Sequence, residues 1–147
     1  MANLLENLNL ENLVFRSYAF WSVVLILKML FMAFLTVIQR VKNKAVASKE
    51  DSPKGIVKFS EDVERQRRAH RNDLENIPIF LIIAFLYVLT SPSQFIAVNL
   101  IRLFAISRLI HTFVYAIKPM QPARAITFFV GALVTFYMSI NVLIFFY

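Results

Sequence analysis

The sequence predicts an all-α integral membrane protein, a bundle of four transmembrane helices. Three observations carry that expectation. Apolar residues fill 59% of the 147 positions and charged residues only 17%, too greasy a balance for a soluble domain of this size to cover with polar surface. The apolar residues gather into four runs near the roughly 20 residues a helix needs to cross a bilayer. The last three runs are joined by short proline-marked segments, "TSPSQ" and "KPMQP", the hairpin connections expected of a bundle.

The first span runs from about Val14 to Ile38, with Arg16 near its start and Lys28 in its middle. The preceding "MANLLENLNLENLVF" lacks the basic region and small-residue cleavage site of a secretory signal, so this span reads as a retained signal-anchor. Lys28 calls for a buried ion pair with an acid such as Asp73 or Glu75. A long loop, about residues 40–71, follows. The second span has a short apolar part, about Asn76 to Thr90, which lengthens to about 72–90 if the charged stretch before it is helical. The third, about 94–117, contains Arg102, Arg108 and His111; Arg102 either pairs with an acid or snorkels toward the lumenal surface. The fourth, about 123–147, opens on Arg124. Phe-rich stripes on spans two and four read as lipid-facing or helix-packing surface. The whole chain, 1–147, is one membrane domain.

Orientation follows from positive charge in short loops. The 40–71 segment holds Arg40, Lys42, Lys44, Lys49, Lys54, Lys58, Arg65, Arg67, Arg68 and Arg71, whereas no Lys or Arg precedes Arg16. "TSPSQ" is uncharged and "KPMQP" carries Lys118. The loop and the "KPMQP" turn are therefore expected in the cytosol, with both termini across the membrane. Lys42, Lys44, Lys54, Lys58 and Arg65 read as headgroup anchors. The net charge of +7 does not point to nucleic acid, because the basic residues are interleaved with membrane-length apolar runs. The absence of cysteine excludes disulfides, thiolate metal sites and a Cys nucleophile. His70 and His111 have no carboxylate cluster at ligand spacing, so no metal site is expected. Neither GxSxG, nor a P-loop, nor a dinucleotide fingerprint is present.

This topology brings polar residues from all four spans to one membrane level: Arg40, then Arg68, Arg71 and Asn72, then His111 and Tyr115, then Arg124. Arg68, Arg71, Asn72 and Glu75 stand at i, i+3, i+4 and i+7 and share a helix face, expected to point inward. Arg108, His111, Thr112 and Tyr115 repeat the spacing. Two guanidinium forks, an amide and a carboxylate suit a small zwitterion with more than one carboxylate.

"VERQRRAHRNDLENI" resembles the signature of the MAPEG family, the membrane-associated proteins of eicosanoid and glutathione metabolism. The similarity continues through "KAVASKEDS", "SRLIHTFVYAIKPMQPARA" and "FFVGALVT" and covers nearly the whole chain. It implies a homotrimer with active sites between subunits, and glutathione as cosubstrate without a metal. Arg68, Arg71, Asn72, Glu75, His111 and Tyr115 would hold glutathione, with Arg40 supplied by a neighbouring subunit and Arg124 facing the thiol. It further implies the endoplasmic reticulum membrane, with the mitochondrial outer membrane as a second location.

Ala125 and Phe128 stand where the family's prostaglandin E synthases carry Ser and Tyr, and "QPARAITFFVG" follows the transferase branch instead. Asp51 matches an acid of the synthase branch that recurs among transferases. The expected activity is conjugation of glutathione to hydrophobic electrophiles from the lipid phase, with peroxidase action on lipid hydroperoxides beside it. Three alternatives stand next to it: a prostaglandin E synthase, a non-catalytic lipid-binding member of the family, and a structural membrane protein with basic anchors. Activation by modification of a protein thiol is excluded, since the chain has none.

Overall fold

The computed structural model describes residues 7–46, 48, 50, 52 and 58–147; Lys49, Asp51 and Lys54 lie outside the described residues. Helix α1, Leu13–Asn43, starts where the Asn12 side chain accepts from the amides of Val14 and Phe15, and ends at Lys44, whose φ of 49° is left-handed. Helix α2, Glu61–Leu89, begins well before residue 72. The loop is correspondingly shorter than 40–71. Glu61, Asp62 and Glu64 fill the first turn of α2, where the helix dipole favours negative charge. Arg65, Arg67 and Arg68 then each pair with one of those acids, Asp62, Glu64 and Glu61. Helix α3, Gln94–Thr112, continues as a π-helical turn, Phe113–Ile117. Helix α4, Ala123–Phe146, follows a cis Gln121–Pro122 peptide. All four are long and apolar enough to cross a membrane, by length and composition.

The helices alternate in direction. At one end Asn7 donates to the Leu89 carbonyl and to Ser91, tying the segment before α1 to the α2–α3 turn. At the other, the Gln66 amide donates to the Ala116 carbonyl at 2.8 Å, joining the start of α2 to the end of α3. Helix α1 packs on α2 and α3, and α4 packs on the same two, which puts α1 and α4 at opposite corners. Leu25, Ile77, Phe80, Ala84, Ile101, Phe104 and Met138 fill the interior, where Phe80 and Phe104 stack. Gly131 lets α4 approach α3: a Cβ there would sit 3.3 Å from Ser107 Oγ and 3.5 Å from the Phe104 ring. Outside, Phe20, Leu27 and Phe34 of α1 and Leu133, Phe136 and Ile144 of α4 are exposed, surfaces suited to lipid or a second subunit rather than water.

Candidate functional site

The antiparallel arrangement gathers the end of α1, the start of α2, the end of α3 and the start of α4 at one end of the bundle. Beneath that end lies a buried charge network. Lys28 of α1 pairs with one oxygen of Asp73 on α2, and Arg108 Nη2 of α3 reaches the other at 2.7 Å. The same Nη2 donates to Asn72 Oδ1 at 2.7 Å. Asp73 and Arg108 are each 1% exposed. Two cations on one carboxylate satisfy a charge that burial would otherwise make costly. The acid expected to pair with Lys28 is thus Asp73; Glu75 is on the surface.

Two cavities open above the network. One, of about 310 Å³, is bounded by Asn72, His111, Tyr115, Gln121, Arg124, Ala125, Phe128 and Phe129. The Arg124 guanidinium lies over the Tyr115 ring, 4.6 Å from its centroid. No described carboxylate lies within 4.0 Å of it. His111 Nδ1 is 3.1 Å from the Arg124 carbonyl and 3.1 Å from Thr127 Oγ1. A carbonyl only accepts, so Nδ1 carries the proton and Nε2 is an acceptor; Nε2 is buried with no partner among the described residues. Asn72, bonded through its oxygen to Arg108, is thereby fixed as one wall.

The other cavity, about 590 Å³, lies between α1 and α2, with Arg40, Arg67, Arg68, His70 and Arg71 beside Ala33, Val37 and Leu74. The expected site residues therefore divide. Asn72, His111, Tyr115 and Arg124 meet in one cavity; Arg40, Arg68 and Arg71 meet in the other. Glu75 lines neither and stands 3.8 Å from Arg71.

Of the face Arg68, Arg71, Asn72, Glu75, only Asn72 reaches inward within the single chain, through its bond to Arg108. Side-chain exposures of 42%, 73% and 62% put Arg68, Arg71 and Glu75 largely outside. The inward face of α2 is Gln66, Ala69, Asp73 and Ile77. The physical reason is charge compensation: Asp73 can be buried because two cations meet it, whereas the described interior offers Arg68 and Arg71 no acid besides Asp73, which Lys28 and Arg108 already hold. Sequence reading also passed over Gln121, which bounds the Arg124 cavity. Nothing in its local pattern marks it. Asp73 did carry a signal, since it falls on the same stripe as Ala69 and Ile77.

Comparison with known proteins agrees with this architecture. The MAPEG family model matches residues 18–144. Microsomal glutathione S-transferase 1 of Mus musculus is 39% identical over 142 residues, covering 91% of this chain and 92% of the relative. The Homo sapiens protein of that name is 37% identical over the same length and shares. Prostaglandin E synthase of Homo sapiens is 34% identical over 126 residues, 83% of each chain.

Proposed function

Since the chain belongs to the MAPEG family, we propose that it is a membrane-bound glutathione S-transferase that joins the glutathione sulfur to hydrophobic electrophiles. Arg124 carries this reading: a guanidinium without a described carboxylate partner, in a cavity with Asn72, His111 and Tyr115. The thiolate is the reactive form of a thiol, and a fixed cation beside the sulfur favours it. Arginine cannot accept the proton, so its part is electrostatic and the proton leaves to water. The thiolate attacks the electrophilic carbon; with an aryl halide the C–S bond forms, the carbon–halogen bond breaks and halide departs. Phe128 and Phe129 give the electrophile an apolar wall.

The same thiolate supports reduction of lipid hydroperoxides. It attacks the terminal peroxide oxygen, the O–O bond breaks, and the alkoxide takes a proton to leave as alcohol. A second glutathione then displaces water from the sulfenic product to give the disulfide.

Asn72, His111 and Tyr115 hold glutathione with Arg124, while Arg68, Arg71 and Glu75 form the outer edge of the site and recruit Arg40 of a neighbouring subunit in a homotrimer. The exposure of that edge supports an intersubunit site, because a second chain would cover it. The protein resides in the endoplasmic reticulum membrane, and also in the mitochondrial outer membrane, with this end toward the cytosol, as the basic residues on it favour. Against the prostaglandin synthase reading stands Ala125, which bounds the cavity without a hydroxyl. Against a non-catalytic role stands the Arg124 set itself.

The test is conjugation of a chromogenic aryl halide by protein purified in detergent. The parent is expected to turn over, and Arg124→Ala to lose about a hundredfold in kcat/KM. A parent that binds no glutathione would remove both enzyme readings.

A further inference from the structure

The Arg124 guanidinium is held by two groups that carry no charge. The Tyr115 ring packs against it, the guanidinium carbon 4.6 Å from the ring centroid. On one edge stands Gln121. With its amide oxygen toward the guanidinium, the orientation in which donors face acceptors, it accepts from Nη2 at 2.7 Å and from Nε at 3.1 Å. A guanidinium has five N–H groups. These contacts use one on Nε and one on Nη2, so among the described residues both on Nη1 and one on Nη2 remain for a ligand. The main chain is held as well, through the His111 contact to the Arg124 carbonyl.

An amide oxygen and a carboxylate can grip the same edge of an arginine, with opposite consequences for its charge. A carboxylate would pair with the cation and offset it. The amide orients it and leaves the charge whole. We propose that Gln121 is a positioning residue for the transferase reaction, fixing the direction of the Arg124 guanidinium while keeping its charge available to the glutathione sulfur. This rests on the reading of Arg124 as the group that faces the thiol.

Three variants test it: Gln121→Glu, Gln121→Met and Arg124→Ala. Each is followed by the ultraviolet absorbance of the bound thiolate against pH, and by kcat and KM for glutathione. Gln121→Glu is expected to move the thiol titration to higher pH, leaving about tenfold less thiolate on its acid side, with KM little changed. Gln121→Met keeps the length and neutrality of the side chain and removes the oxygen. It is expected to lower kcat several-fold while moving the titration less than Glu does. Glu and Met variants that match each other, or that both match the parent, would overturn the proposal. Gln121 is exposed, so both are expected to fold; should the Glu variant not fold, a Met variant with parental kcat is enough to overturn it. If Arg124→Ala leaves the titration at its parental position, the reading of Arg124 fails and the role of Gln121 with it. If Arg124→Ala moves the titration and Gln121→Glu does not, only the Gln121 proposal fails.

Discussion

A single carboxylate decides how the polar end of this bundle is organised. Asp73 meets Lys28 from one neighbouring helix and Arg108 from another, and Arg108 passes the constraint on to Asn72 at the cavity wall. Replacing Asp73 by Ala leaves two buried cations without a counter-charge. The expected cost is about 3–5 kcal/mol, read as a lower thermal unfolding midpoint in detergent, together with a raised KM for glutathione as Asn72 loses its anchor. Lys28→Met leaves Asp73 still paired with Arg108 and should cost clearly less. Equal losses from the two substitutions would mean that Arg108 alone does not satisfy Asp73, and no loss from Lys28→Met would mean that Lys28 is not held in the network as described.

At the scale of the helices, the α3–α4 contact turns on Gly131. An added methyl would meet the Ser107 hydroxyl at 3.3 Å, a group that can rotate away, but a longer side chain would also press on Phe104 and the Arg108 stem, 3.6 Å away. Gly131→Ala is therefore expected to stay within about 1 kcal/mol of the parent, and Gly131→Leu to cost about 3 kcal/mol by overpacking, measured by thermal unfolding. The Leu variant should also weaken glutathione binding, since Arg108 is displaced. Parental stability in the Leu variant would mean that the helices do not approach as closely as described. Helix α2 shows a different effect at this scale. Its charged first turns are helical from Glu61 because acids occupy the positive end of the dipole and each of three arginines pairs with one of them.

For the whole molecule, the division of the site residues between two cavities bears on assembly. Arg40 lies in the α1–α2 groove of its own chain and outside the Arg124 cavity. In the proposed trimer it completes a neighbour's site, and this can be tested by mixing subunits. Arg40→Ala and Arg124→Ala proteins, each impaired alone, should regain part of the conjugating activity when co-expressed. The α1 of one chain then supplies Arg40 to the intact Arg124 cavity of the other. If each site is built from one chain, no mixed assembly contains a complete set and activity stays at the level of the single variants.

The sequence alone determined the four membrane-length helices and the end at which polar residues gather, because apolar runs, proline-marked turns and spacing along a helix are local properties; it began the second span at about residue 72, whereas α2 begins at Glu61. It made Lys28 a residue in need of an acid and offered Asp73 as one, since an isolated charge inside a span has few ways to be satisfied. It did not determine which face of α2 turns inward, nor that Arg108 and Lys28 share one carboxylate, nor that Gln121 holds Arg124. Those outcomes depend on which side chains from distant parts of the chain arrive at the same point. Helical spacing placed Arg68, Arg71, Asn72 and Glu75 on one face correctly, yet only the packed bundle showed that face to be largely outside. Burial of charge is settled by the partners that meet it across helices, and no single helix carries that information.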